Sequence, residues 1–150
     1  MKVFISHKDV DSVVARQIAQ LLYTNGISYY LDVLNNTTEC DGKRLTHTIR
    51  QELNQCSHMI TVLSEATKSS WWVPFEIGMA AQKDVPVVNF LLEGIILPAY
   101  LEYWPRLRKF SDLNKYISAI RTTDATIQKS AGYITESYSE KFYKNIRAMI

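Results

Sequence analysis

Glycine is scarce, with 5 residues in 150, and no glycine-rich phosphate-binding fingerprint is present. That excludes a dinucleotide site of the Rossmann type. Cysteine occurs twice, at Cys40 and Cys56, with no metal-ligand spacing and nothing that reads as a secreted disulfide scaffold. Charge of one sign is missing as well. The formal net charge is +2, with no Lys/Arg run, which gives no footing for nucleic acid. The longest apolar run, around Val85 to Ala99, is broken by Asn89, Glu93, Gly94 and Pro98 and cannot span a bilayer. The opening residues Met1 to His7 enter a strand at once and show no signal-peptide pattern. These absences lead us to expect one cytoplasmic domain over residues 1–150, without metal, membrane or nucleic-acid partners.

The hydrophobic fraction of 47% is enough for one core, and its patterning gives the fold class. Val3-Phe4-Ile5 reads as a short strand stopped by Ser6 to Asp9. Val10, Val13, Val14, Ile18, Leu21 and Leu22 form the stripe of an amphipathic helix, which Gly26 terminates. Ile27 to Leu31 is a second strand closed by Asp32, and the polar stretch Val33 to Lys43 is a long loop. Leu45, Ile49, Leu53 and Cys56 mark a helix, Met59 to Leu63 a third strand, and Val85 to Leu92 a fourth. Arg106 to Phe110 reads as a short edge strand, Asp112 to Arg121 as a helix, and Tyr138 to Ile150 as a closing helix with Phe142, Ile146 and Met149 on one side. Leu97 to Pro105 and Thr122 to Ser137 carry little order. Continuously apolar strands alternating with helices imply a parallel sheet covered on both faces. The ends of such strands bring Ser6 to Asp9, Asp32 to Lys43, Ser64 to Glu76 and Glu93 to Pro98 to one edge, where open α/β sheets bind ligands.

The segment Ser64 to Gly78, SEATKSSWWVPFEIG, organises that edge. Ser70 reads as an N-cap, and Pro74 falls in the first turn, where proline is tolerated. In a helix starting near Trp71, Trp72 and Glu76 are four apart and share a face. Glu76 is the one charged residue from Trp71 to Ala81. A carboxylate set alone in that apolar stretch must reach water or have a partner.

These motifs resemble a TIR (Toll/interleukin-1 receptor) domain. Val3-Phe4-Ile5-Ser6-His7, with Asp11 and Ala15 beyond, is similar to the family's first strand, loop and helix. Gly26 through Asp32 is similar to its second strand, and the loop with Gly42 to its BB loop. Val62-Leu63-Ser64, then Ser70, Trp72 and Glu76, resemble its hydrophobic-Leu-Ser, Ser-x-Trp and final glutamate. Val73 departs from the cysteine many members carry, and the loop shares little beyond length and a glycine. The resemblance implies a flavodoxin-like three-layer α/β sandwich with a five-stranded parallel sheet. It covers about the first 100 residues well and the rest loosely.

Two functions follow from the resemblance. In the enzymes of the family, the glutamate matching Glu76 cleaves the nicotinamide–ribose bond of NAD+, which is substrate rather than bound cofactor. Oxocarbenium character builds on the ribose as the cationic leaving group departs, and one carboxylate beneath the ring stabilises it. Nicotinamide leaves without a proton, so no paired carboxylate is required. The product is ADP-ribose or a cyclic isomer. A bare TIR domain resembles the proteins of bacterial Thoeris anti-phage defence, whose NAD-derived messenger is read by a separate effector. The rivals are an adaptor that works by TIR–TIR contact, a nucleoside deoxyribosyltransferase, and a secreted effector.

Glu76 is the expected catalytic group; Ser6, His7, Asp32, Ser70 and Trp72 are the candidate substrate contacts. Each has a plainer reading that the sequence leaves open. Ser6 and His7 are turn or cap residues, Asp32 ends a strand, Ser70 and Ser64 cap a helix, and Trp72 packs the core. Cys40 has no histidine neighbour to activate it as a nucleophile.

Overall fold

The computed structural model of the chain describes residues 1–34, 42–68, 70–129 and 136–150. Its strands are β1 (Lys2–Lys8), β2 (Ser28–Leu34), β3 (His58–Leu63), β4 (Val87–Leu91) and β5 (Arg106–Leu107). Its helices are α1 (Ser12–Thr24), α2 (Gly42–Gln55), α3 (Glu65–Lys68), α4 (Trp72–Gln82), α5 (Phe110–Lys129) and α6 (Tyr138–Arg147). The strands form one sheet in the order β2-β1-β3-β4-β5, with every neighbouring pair parallel. This is the flavodoxin-like order, and its switch point falls between β1 and β3.

Two apolar clusters cover the two faces. On one, Val3, Ile5, Ile60, Val62, Val88 and Phe90 meet α1, α5 and α6. On the other, Phe4, Met59, Leu63, Val87 and Leu91 meet Ile49 and Leu53 of α2 and Val73, Ile77 and Ala80 of α4. Side chains alternate across a strand, so residues of one parity in β1 belong to one cluster and those of the other parity to the other. β3 is buried at every position, as a central parallel strand should be.

The helix ends follow local chemistry. Asn25 caps α1, and Gly26 takes φ 76°, giving Gly26 N–H to Tyr23 C=O (2.9 Å) and Ile27 N–H to Leu22 C=O (3.0 Å). That is a Schellman motif, with Ile27 and Leu22 both in the core. α4 ends the same way, with Asp84 at φ 56° in the left-handed position. Hydroxyls of Ser137 and Ser139 donate to the Asp84 carboxylate and tie that turn to the start of α6.

Several boundaries differ from the sequence reading. Val10 and Val13 are exposed (69% and 62%) rather than core. A 3-10 turn at Asp9–Asp11 precedes α1 and sets its phase, so that Ser12, Ala15, Ile18, Ala19 and Leu22 face the sheet. β2 runs through Asp32 to Leu34, so Asp32 lies inside the strand instead of closing it. Of the expected loop, Val33 and Leu34 are strand and Gly42 and Lys43 helix. Residues 35–41, including Cys40, lie outside the described residues. α5 continues to Lys129, well into the stretch that carried no readable order. α6 begins at a capping box in which Ser137 and Glu140 each bond the other's backbone N–H, a feature worth about 1 kcal/mol.

Candidate active site

A polar row crosses the sheet beneath α2 and α4. Parallel register places Asp32 beside Ser6, Ser6 beside Thr61, and Thr61 beside Asn89. All four are buried. Their neighbours of the same parity, Phe4, Met59, Val87 and Leu91, belong to the α2/α4 cluster, so the row points into that layer. It lies toward the carboxyl ends of the strands, where the switch point opens. At its β4 end, Thr61 Oγ1 donates to Asn89 Oδ1 (2.6 Å), and Asn89 Nδ2 donates to the Leu101 carbonyl (2.9 Å). Neither residue stood out in the sequence as a site residue. Asn89 was legible only as the one polar position of an apolar strand.

Glu76 meets this row from above. Pro74 is the third residue of α4, where no intrahelical acceptor awaits an N–H, and the helix carries Glu76 one turn past Trp72. The Glu76 side chain is entirely buried (0%). Ser6 Oγ donates a hydrogen bond to Glu76 Oε2, and Trp72 Nε1 donates to Oε1 (3.2 Å). Asp32 lies against the same carboxyl, acting on it by hydrogen bond and by charge. Glu76 is therefore no lone carboxylate. Its partner comes from a strand 44 positions earlier, which sequence spacing around Glu76 does not reveal.

Burial pushes the Glu76 carboxyl well above the usual carboxylate range, and the hydrogen bond to Asp32 and the charge of Asp32 push it further. The donors Ser6 and Trp72 pull it back by favouring the ionised form. The upward influences dominate, so the site favours the protonated form of the Glu76 carboxyl more than water does. The Oδ2 of Asp32 is buried and has no hydrogen-bond donor among the described residues.

The remaining candidates separate. Ser70 is half-buried, and its hydroxyl accepts the Trp72 backbone N–H (3.2 Å), so it holds the start of α4 one residue before the helix cap at Trp71. It bears on Glu76 through Trp72. Trp72 both packs on Phe75 (ring centroids 5.1 Å apart) and bonds Glu76, while Trp71 is 94% exposed. His7 has the parity of Val3 and Ile5 and points to the opposite face, toward α1. Burial lowers its pKa; the charges that reach it come from Asp32, Asp11 and Arg16. Ser64 donates to Asp11 Oδ2 (2.8 Å) and joins the end of β3 to the start of α1.

The family model for the TIR domain matches residues 3–129. The chain belongs to the TIR domain family. No curated protein matches it significantly. Among solved structures, this TIR domain is similar to the TIR domains of the activated Roq1 resistosome directly recognizing the pathogen effector XopQ. The identity is 15% over 97% of this chain and 83% of that one, with a TM-score of 0.49. Among the described residues, no group of three His, Cys, Asp or Glu side chains is placed to hold a metal, and no helix is long and apolar enough to cross a membrane.

Proposed function

We propose that this TIR domain cleaves NAD+ at the nicotinamide–ribose bond, with Glu76 as the catalytic carboxylate. The observation that carries the reading is the placement of Glu76: a fully buried carboxyl, at the ligand-binding edge of the sheet, held by Ser6 and Trp72 and opposed by Asp32. A protonated carboxyl stabilises no cation, but a pyridinium cation within about 4–6 Å lowers a carboxyl pKa by roughly 1–3 units. Substrate entry thus favours the ionised Glu76 that the reaction needs. Ribose hydroxyls replace the Ser6 O–H and Trp72 N–H donors now bound to it, since they too donate hydrogen bonds. The ionised carboxylate then faces the developing oxocarbenium ion in a water-poor site, where such stabilisation is strongest. Water as nucleophile gives ADP-ribose; an intramolecular nucleophile gives a cyclic isomer.

The cellular role we propose is the production of an ADP-ribose-derived messenger for a separate effector, in the manner of bacterial anti-phage defence. Self-association through TIR–TIR contacts is part of this reading. The competing reading is a non-enzymatic adaptor. It is favoured by the complete burial of Glu76 and by the partners its own chain already supplies to both carboxyl oxygens.

Incubation of concentrated protein with NAD+, products resolved by mass spectrometry, and Glu76→Ala in parallel separates the two. Glu76-dependent loss of NAD+ supports the enzyme, and a product lighter than ADP-ribose by one water identifies a cyclase. Absence of turnover together with retained self-association supports the adaptor.

A further inference from the structure

We propose that Asp32 is the general base of this site, removing the proton from the hydroxyl that attacks the ribose while Glu76 stabilises the ring cation. The inference rests on the NAD+-cleavage reading and divides its labour between two carboxyls.

Four observations support it. First, Asp32 is fixed in the body of β2, in register with Ser6 and on the same face, so its backbone cannot swing away from Glu76. Second, it is 7% exposed in an element where aspartate is ordinarily disfavoured, and the strand gains nothing from it as a turn or cap. Third, its Oδ2 is buried with no hydrogen-bond donor among the described residues. A buried acceptor of this kind is rare in a folded protein, and it is the atom of the site that can take a hydroxyl proton. Fourth, it lies against Glu76, so a nucleophile bonded to Oδ2 is close to the ribose that Glu76 contacts.

Glu76 of α4 and Tyr30 of β2 lie on the same face of the sheet as Asp32, and His7 of β1 interacts with it by charge from the other face. Burial, with the charges of Asp32, Glu52 and Glu76, pushes the Tyr30 hydroxyl up to about 12, so it stays neutral. Burial holds His7 below its ordinary value, so it is uncharged at neutral pH.

The step balances without a co-reactant. The C1′–N1 bond breaks, and its electron pair leaves with nicotinamide, which becomes neutral. The attacking oxygen bonds to C1′, and its proton passes to the Asp32 carboxylate. A proton carried by Glu76 passes to solvent as the pyridinium cation enters.

The test sets two nucleophiles against each other. Hydrolysis requires a proton to be removed, whereas exchange of nicotinamide for 3-acetylpyridine uses a ring-nitrogen lone pair and does not. With both products measured in one reaction, Asp32→Asn is expected to lower hydrolysis about 100-fold, the usual scale of general-base catalysis. Exchange falls less, so the exchange-to-hydrolysis ratio rises about tenfold or more. Equal losses in both reactions would make Asp32 a positioning residue and overturn the proposal, as would unchanged hydrolysis. A wild type that forms neither product removes the NAD+-cleavage reading itself, whereas parallel losses in an active enzyme remove only the role of Asp32.

Discussion

The Ser6 hydroxyl and the Glu76 carboxyl, 70 positions apart in sequence, are hydrogen-bonded to one another inside the protein. The bond joins the end of β1 to the middle of α4 and is one of two that favour the ionised glutamate, the other coming from Trp72. Ser6→Ala leaves a buried carboxyl oxygen short of a donor. We expect a loss of about 1–3 kcal/mol in urea denaturation. The Glu76 pKa also rises further, because a bond that lowers it is gone, so NAD+ turnover falls as well. A variant as stable and as active as the wild type would remove Ser6 from the site.

Glu76 itself makes the fold sensitive to pH. Its folded pKa is raised above the ordinary 4.5, so the folded state holds a proton that the unfolded chain releases. The sign follows: the stabilising contribution is complete below the unfolded value and is lost as pH rises from there through the folded value. The slope for one proton is about 1.4 kcal/mol per pH unit. Glu76→Gln keeps the shape and removes the titration. It should abolish turnover yet melt higher than the wild type above about pH 4.5, with a gap that widens with pH. A gap that is constant across pH would mean that Glu76 does not titrate in this range.

The order of elements was readable because continuous apolar strands and 3.6-residue helical stripes report local burial. Met59 to Leu63 and the Gly26 helix stop are recovered almost residue for residue. What failed depends on tertiary register. Val10 and Val13 match a helical stripe, but the 3-10 turn at Asp9–Asp11 rotates them to solvent and leaves small Ala15 and Ala19 against the sheet. Asp32 looked like a strand terminator because an acidic residue after an apolar run usually is one. Its pairing with Glu76 exists only once β2 lies in register with β1 and α4 covers both. Thr61 and Asn89 are likewise unremarkable alone and become a row only across strands. By contrast, the capping box Ser137 to Glu140 is a local signature that the sequence does carry. Glu76 was legible from its isolation and its family motif, and Trp72 from its four-residue helical step; that Ser6 and Asp32 meet the Glu76 carboxyl itself was not.

The far end of the polar row offers a test of structure apart from chemistry. Asn89 accepts from Thr61 and donates to the Leu101 carbonyl, which anchors the 3-10 turn at Ala99–Tyr103 over β4. Asn89→Ala removes both bonds and opens a void at a fully buried position. The expected loss is about 2–4 kcal/mol by chemical denaturation, combining unsatisfied polar groups with a cavity. Asn89→Ala/Thr61→Val removes both partners and should recover part of that loss, because the Thr61 hydroxyl is no longer stranded. A double variant worse than the sum of the singles would contradict this coupling.

At the opposite end of the sheet, His58 sits in an aromatic enclosure. Tyr116, Tyr138 and Phe142 surround it, with ring centroids 6.2, 5.4 and 5.2 Å away. Its Nε2 lies 3.3 Å from the Tyr138 hydroxyl, which donates to Asp124 (2.8 Å), and its Nδ1 lies 3.1 Å from the Ser57 hydroxyl. Burial, with a small contribution from the charged N-terminus, lowers its pKa to about 3. The sign here is opposite to that of Glu76. Stability from neutral His58 is fully present above the ordinary 6.5 and is lost as pH falls from there through about 3. His58→Phe keeps the aromatic packing and removes the titration, while Tyr138 retains Asp124 as its acceptor. Between pH 6.5 and 3, the wild type should lose stability faster than this variant, by up to about 1.4 kcal/mol per pH unit. Parallel stability–pH curves for the two proteins would show that the imidazole takes up its proton without opening the aromatic cluster.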